Sequence, residues 1–237
     1  MKKHITIFML ICFASFSSAQ SNYYETQWKE VQKLENDGLS KSASELVDQI
    51  YTRAKNDDNT AQKIKALLHQ SKYLQILEED SQLTIINKFK SEIESSDIVT
   101  KQVLENLLAN LYWQYFKQNR YKFYDRSKTD VKASDDFRTW DLTTLFTEIH
   151  RYFDRSLQNG LLLQQESLDK YDAILKTVKN SKDYRPTLFD FLSHNALDFY
   201  KTSAYGITMP RDAFSITKEN AFLPTEEIVK LKRPAND

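Results

Sequence analysis

The chain is short of the residues that bend and break a backbone. Among 237 residues there are 3 Gly and 4 Pro, far below the usual shares of roughly 7% and 5%. Glycine supplies the positive φ of tight turns and lets a backbone approach phosphates closely. Its scarcity therefore argues against P-loops, Gly-rich dinucleotide folds and all-β sandwiches. Charge of one sign is not in excess, since Lys+Arg and Asp+Glu number 33 each; neither a nucleic-acid-type positive field nor an acidic tail shows in the balance. What is present is 41% hydrophobic, 13% aromatic and 28% charged residues, enough for a core of ordinary size under a wet surface. Composition alone names no function.

The first nineteen residues read as a targeting segment. Lys2 and Lys3 precede an apolar stretch from Ile5 to Phe16, and Ser17-Ser18-Ala19 places small residues where a signal peptidase needs them. Cleavage is expected before Gln20. The stretch is too short to serve as a permanent anchor, which takes about 20 apolar residues. Cys12 is the only cysteine. Ile11 before it is bulky where a lipoprotein signal wants a small residue, so Cys12 reads as part of the discarded apolar core. Export without cysteine leaves residues 20–237 with no disulfide, no thiol nucleophile and no thiolate metal ligand.

Apolar residues beyond Gln20 recur at helical spacing. From Tyr24 to Asp37, Trp28, Val31 and Leu34 share a stripe, and Gly38 supplies a left-handed stop. Ser40 is expected to cap a second helix carrying Ala43, Leu46, Val47, Ile50, Tyr51 and Ala54, which Asn56-Asp57-Asp58-Asn59 breaks. Thr60 is expected to cap a third helix through Leu77, and a fourth runs from Ser81 to Glu94. A fifth, from Ile98 to Asn119, is the most apolar and should lie at the centre, with Ala109 allowing close approach. Asp141 caps a sixth helix to Asn159, with Gly160 as its stop; a weaker apolar segment follows from Leu161 to Val178. Thr187 and Asp190 resemble a capping box opening a helix through Tyr200. Past Tyr205 the pattern fails. The fold class is all-α, with antiparallel helix pairs stacked as a TPR-like solenoid after a cleaved signal peptide. The expected divisions are 1–19 for the signal, 20–202 for the helical domain and 203–237 for an irregular segment.

Candidate chemistry is sparse. His150 with Asp154, and His194 with Asp198, stand four apart, which places each pair on one helix face as half a metal site. The plainer reading is a histidine hydrogen-bonded one turn away. His69 has no carboxylate at such spacing. From Tyr112 to Arg126, aromatics interleave with Lys117, Arg120, Lys122 and Arg126 as in platforms for single strands; packing aromatics with basic groups near a helix C-terminus explain the pattern better in an exported neutral chain. Glu78, Glu79 and Asp80 read as a solvated helix end. No Gly-x-Ser-x-Gly elbow is present. No catalytic residue, cofactor site or metal site is assigned.

Ordered blocks of sequence resemble the N-terminal region of bacterial alpha-2-macroglobulin-like proteins of the Bacteroides type. The blocks are Gln27-Trp28-Lys29-Glu30-Val31 with Gly38-Leu39, Lys41-Ser42-Ala43, Ile50-Tyr51, Ala54-Lys55 and Ile64-Lys65-Ala66-Leu67. Further on come Leu111-Tyr112-Trp113-Gln114-Tyr115, Asn119-Arg120, Thr139-Trp140-Asp141-Leu142 and Arg185-Pro186-Thr187-Leu188-Phe189-Asp190-Phe191-Leu192, with His194, Ala196-Leu197 and Phe199. Ser40 departs from a frequent Pro, and both suit a helix start. The resemblance implies a helical module ahead of macroglobulin-like β-domains, a bait segment and, in many members, a thioester that captures a protease. No Cys-Gly-Glu-Gln motif is present here, so the chain is expected to be a non-catalytic piece of a longer exported protein, in the periplasm or at the cell surface. Its expected partners are the downstream macroglobulin-like domains, with other envelope proteins or proteases as further candidates; nucleic acid and an integral membrane span are not expected. The alternative is a helical periplasmic enzyme or metal-binding domain using His150 or His194.

Overall fold

The structure is a computed structural model that describes residues 23–124, 134–176, 178–201, 216–217 and 219–232. The expected signal segment 1–19 and all of 203–215 lie outside the described residues. The chain divides into two compact units, Met1–Ala196 and Leu197–Asp237. The described residues are predominantly helical and contain no strand; one isolated antiparallel bridge joins Ser167 to Thr187. No helix among them is long and apolar enough to cross a membrane.

In the first unit, α1 spans 23–36 and ends in a Schellman turn: the Leu39 amide donates to the Leu34 carbonyl at 2.8 Å and the Gly38 amide to Glu35 at 3.1 Å, with Gly38 at φ +73°. That closure satisfies carbonyls the helix end would leave orphaned. Helix α2 (Ser40–Asn56) ends in the same way, but Asp58 holds the left-handed position at φ +51° while the Asn59 amide reaches the Ala54 carbonyl at 2.9 Å. Helices α3 (Thr60–Leu77), α4 (Gln82–Ser95) and α5 (Ile98–Asn119) follow. Packing proceeds from neighbour to neighbour, α2 on α3, α3 on α4, α4 on α5. Tyr24 and Val31 of α1, Ala43, Val47, Ile50 and Ala54 of α2, and Ala66 and Tyr73 of α3 form one buried cluster.

Helix α5 is buried around most of its circumference, from Val103 and Leu104 to Trp113 and Phe116, because α4 covers one side and α7 (Leu142–Leu157) another. Between them lie the short α6 (Tyr121–Tyr124) and a 3-10 turn at Phe137–Thr139. Tyr112 stacks with Tyr152 at 6.0 Å and meets Phe137 edge-on at 5.2 Å; Phe116 meets Phe146 edge-on at 5.0 Å. After α7 come α8 (Gly160–Gln165), a 3-10 turn at Leu168–Tyr171, α9 (Ser181–Tyr184) and α10 (Leu188–Lys201). The described part of the second unit holds the end of α10, a 3-10 turn at Asn220–Phe222 and α11 (Thr225–Ile228), with Phe222 and Val229 largely exposed.

Three expectations about helix ends are corrected. Ser40 is the first residue of α2 rather than its cap; Leu39 occupies the cap position and accepts the Ala43 amide through its carbonyl. Asn59, not Thr60, caps α3, its side chain accepting from the Gln62 amide at 3.2 Å. In both cases the preceding Schellman turn sets the register of the next helix, one residue earlier than side-chain preference suggests. Gly160 is not a stop: it opens α8, and a Cβ there would lie 3.1 Å from the Phe189 ring. Asp97 and Asp141 cap α5 and α7 with side-chain acceptors. The Thr187–Asp190 box is complete, since the Thr187 amide donates to the Asp190 carboxylate at 3.1 Å and the Asp190 amide to Thr187 Oγ1 at 3.3 Å.

Candidate functional site

The two histidine–aspartate pairs take up separate roles. His194 is half-buried on α10 and its Nδ1 lies 2.8 Å from the Asp190 carbonyl, one turn back rather than toward Asp198. His150 lies on the exposed side of α7, while the Asp154 carboxylate accepts from Gln158 at 3.3 Å. No group of three His, Cys, Asp or Glu able to hold a metal ion occurs among the described residues. The aromatic and basic run from Tyr112 is divided by the fold. Trp113, Phe116 and Phe123 are buried, Tyr121 is exposed, and the Lys117 ammonium sits 5.6 Å from the centre of the Trp113 ring. Arg126 and the Tyr124 side chain lie outside the described residues. Asp80 at the end of the acidic run pairs with Arg138 at 3.3 Å.

Polar groups that sequence spacing did not connect are brought together between helices. The Trp28 indole of α1 packs 4.7 Å from the imidazole of His69 on α3 and donates its Nε1–H to Gln62 at 2.7 Å. The Lys65 ammonium stands 4.3 Å over the same indole, a cation–π geometry. Glu35 accepts from Lys72 at 2.7 Å and from Tyr73 at 2.5 Å, and lies 3.9 Å from His69 Nδ1. Burial opposes ionisation of Glu35, but the hydrogen bonds from Lys72 and Tyr73 win and hold its carboxyl below the usual range. Burial lowers the His69 pKa, with Glu35 opposing and Lys72 and Lys65 adding to the shift. On the other side of α3, Glu92 of α4 is contacted by Lys63 at 2.8 Å and accepts from the Tyr51 hydroxyl.

Deeper in the unit, Asn106 of α5 donates to Ser156 Oγ at 3.1 Å and to the Leu192 carbonyl at 3.2 Å, and accepts from Asn195 at 3.0 Å. One amide thereby ties α5 to α7 and α10. Glu105 beside it meets Arg155 at 2.6 Å.

An open cleft of about 510 Å³ lies where the α2–α3 turn, the start of α5 and the turn after α8 converge; its acidic residues are Asp57, Asp58, Asp97 and Glu166. Three of them are already engaged. Asp57 accepts from Tyr24 and Arg53, Asp97 from the Val99 and Thr100 amides, and Glu166 from Lys170. Tyr171 in its wall has its phenol pushed up to about 12 by burial, with Glu166 and Asp97 adding to the shift.

The chain matches no family model, no curated protein and no solved structure.

Proposed function

We propose that the chain is the non-catalytic helical N-terminal module of an exported alpha-2-macroglobulin-like protein, a family of protease traps and endopeptidase inhibitors, and that it acts there as a scaffold or interaction domain. The family assignment rests on the ordered sequence blocks alone. The observation that carries the scaffold reading is how the ionisable groups between helices are used. Glu35 is taken up by Lys72 and Tyr73, Glu92 by Lys63 and Tyr51, Glu105 by Arg155. These groups hold helix to helix instead of converging on a cavity where a reacting atom would sit.

The helix pairs stack in a TPR-like solenoid, each burying a face that it cannot bury alone. Export to the periplasm or cell surface follows from the signal segment, and downstream macroglobulin-like domains are the first partner. Small-angle scattering of the chain from Gln20 onward tests the shape: a compact chain of about 220 residues has a radius of gyration of about 17 Å, and a solenoid exceeds it. Function is tested by incubating the same protein with endoproteases of several specificities and following cleavage of a large protein substrate. The module leaves that cleavage unchanged. Stoichiometric protection of the substrate defeats the scaffold reading.

A further inference from the structure

A second recess, of about 80 Å³, opens where the end of α3, the start of α4 and the C-terminal half of α5 meet. Its edge carries Gln75, Gln82, Gln114 and Gln118, all exposed, and its floor includes the buried Ile86 and Phe137 with half-buried Leu111. Among the described residues no charged side chain lines it, in a chain where 28% of residues are charged. Ile76 and Leu77, which follow Gln75 on α3, are 54% and 49% exposed.

We propose that this groove binds an extended, uncharged stretch of polypeptide, the glutamine amides pairing with its main chain while one aliphatic side chain enters the floor. A primary amide offers the same N–H donors and C=O acceptor as a peptide unit, so a rim of four neutral amides is complementary to a backbone and not to an ion, a phosphate or a charged side chain. The spacing agrees. Gln114 and Gln118 lie one turn apart on α5, an advance of about 6 Å along the axis. An extended chain repeats the same side every two residues, about 6.7 Å. Successive outward peptide groups therefore meet successive amides, and Gln75 and Gln82 belong to α3 and α4 on the other side of the recess from α5. Size separates a peptide from a metabolite: drug-sized ligands occupy about 300–1,000 Å³, whereas this recess takes a single side chain.

The inference rests on the interaction-module reading of the chain but not on its family. The test is a titration of the ¹⁵N-labelled protein with the neutral peptide acetyl-Gly-Ser-Thr-Leu-Thr-Ser-Gly-amide, followed through side-chain amide signals. Saturable shifts are expected at Gln75, Gln82, Gln114 and Gln118. The Gln114→Ala, Gln118→Ala double variant, altered only at exposed positions, should bind about tenfold more weakly, the loss expected for one to two neutral hydrogen bonds. Replacing the central leucine of the peptide by lysine should abolish the shifts, a measurement that needs no protein variant. A silent titration, shifts confined to another surface, or equal binding of the lysine peptide overturns the proposal. So do shifts that follow protein concentration without peptide, because they make a second copy of the chain the occupant. A silent titration leaves the scaffold role standing, whereas protection of a protease substrate defeats that role and leaves the titration to be read by itself.

Discussion

Glu105 of α5, 2% exposed, meets the guanidinium of Arg155 on α7 at 2.6 Å, and the pair sits one residue from the Asn106 amide that joins α5 to α10. Burial raises the Glu105 pKa, and the opposing pull of Arg155, Lys101 and Arg151 does not fully offset it. Its folded-state pKa thus lies above the unfolded one. The stability it contributes is present below the ordinary carboxyl pKa and is lost as pH rises through the raised value.

Glu105→Gln and Arg155→Met should therefore differ. Removing the arginine strands a buried carboxylate, which costs about 1–3 kcal/mol, at the low end for buried pairs because Arg155 is partly exposed. Removing the charge with Glu105→Gln should cost less than about 1 kcal/mol at neutral pH, since the lost ion pair is offset by relief of desolvation. Denaturant unfolding of both variants at pH 4 and pH 7 checks this. The Gln variant should gain relative to the parent as pH rises; equal losses in the two variants would contradict it.

Gly38 and Asp58 occupy equivalent left-handed positions at the ends of α1 and α2, at φ +73° and +51°. A side chain there costs about 1 kcal/mol. Gly38→Ala should lower stability by about that amount, while Asp58→Gly should raise it by about 0.5–1 kcal/mol. Thermal midpoints of the two variants against the parent check both signs; a Gly160→Ala change is no control for them, because its Cβ would meet the Phe189 ring at 3.1 Å.

Much of the helical layout is readable locally. Helix α5 runs from Ile98 to Asn119, the span expected from its apolar spacing, because every turn of it carries residues that demand burial. The caps at Ser40 and Thr60 were misplaced because two consecutive helices share one turn, and the closing bonds from Leu39 to Leu34 and from Asn59 to Ala54 fix where the second begins. The local caps at Asp141 and Thr187 are readable, but the polar contacts between helices are not. Trp28 with His69, Glu35 with Lys72 and Asn106 with Asn195 join residues tens of positions apart, and no periodicity relates them. Gln114 and Gln118 stood visibly four apart, yet only packing adds Gln75 and Gln82 to make a rim.

His69 lies among Trp28 and Glu35 of α1 and Lys65, Lys72 and Tyr73 of its own helix. Its pKa is lowered in the folded state, so the unfolded chain takes up the proton first. Stability should fall as pH drops below about 6.5, the ordinary imidazole value, and stop falling below the folded-state pKa. Thermal unfolding of the parent and of His69→Gln between pH 7 and pH 5 separates this from carboxylate titration, which acts at lower pH. A parent and variant that decline in parallel over that window would refute the assignment.

Gln102 is 2% exposed on α5, and neither atom of its amide has a hydrogen-bond partner among the described residues. Four residues on, Asn106 is equally buried but spends its amide on three bonds to α7 and α10. The two amides should respond oppositely to the same kind of change. An unpaired buried amide costs about 1–3 kcal/mol, and methionine fills nearly the same volume without that penalty. Gln102→Met should therefore hold or raise the thermal midpoint, by about 2–4 °C for each kcal/mol recovered in a domain of this size. Asn106→Leu leaves Asn195 and the Leu192 carbonyl without their partner and should cost about 2–3 kcal/mol. A loss at Gln102→Met as large as that at Asn106→Leu would mean that the Gln102 amide is satisfied in solution by a bound water, and that α5 is tied to its neighbours at two polar points instead of one.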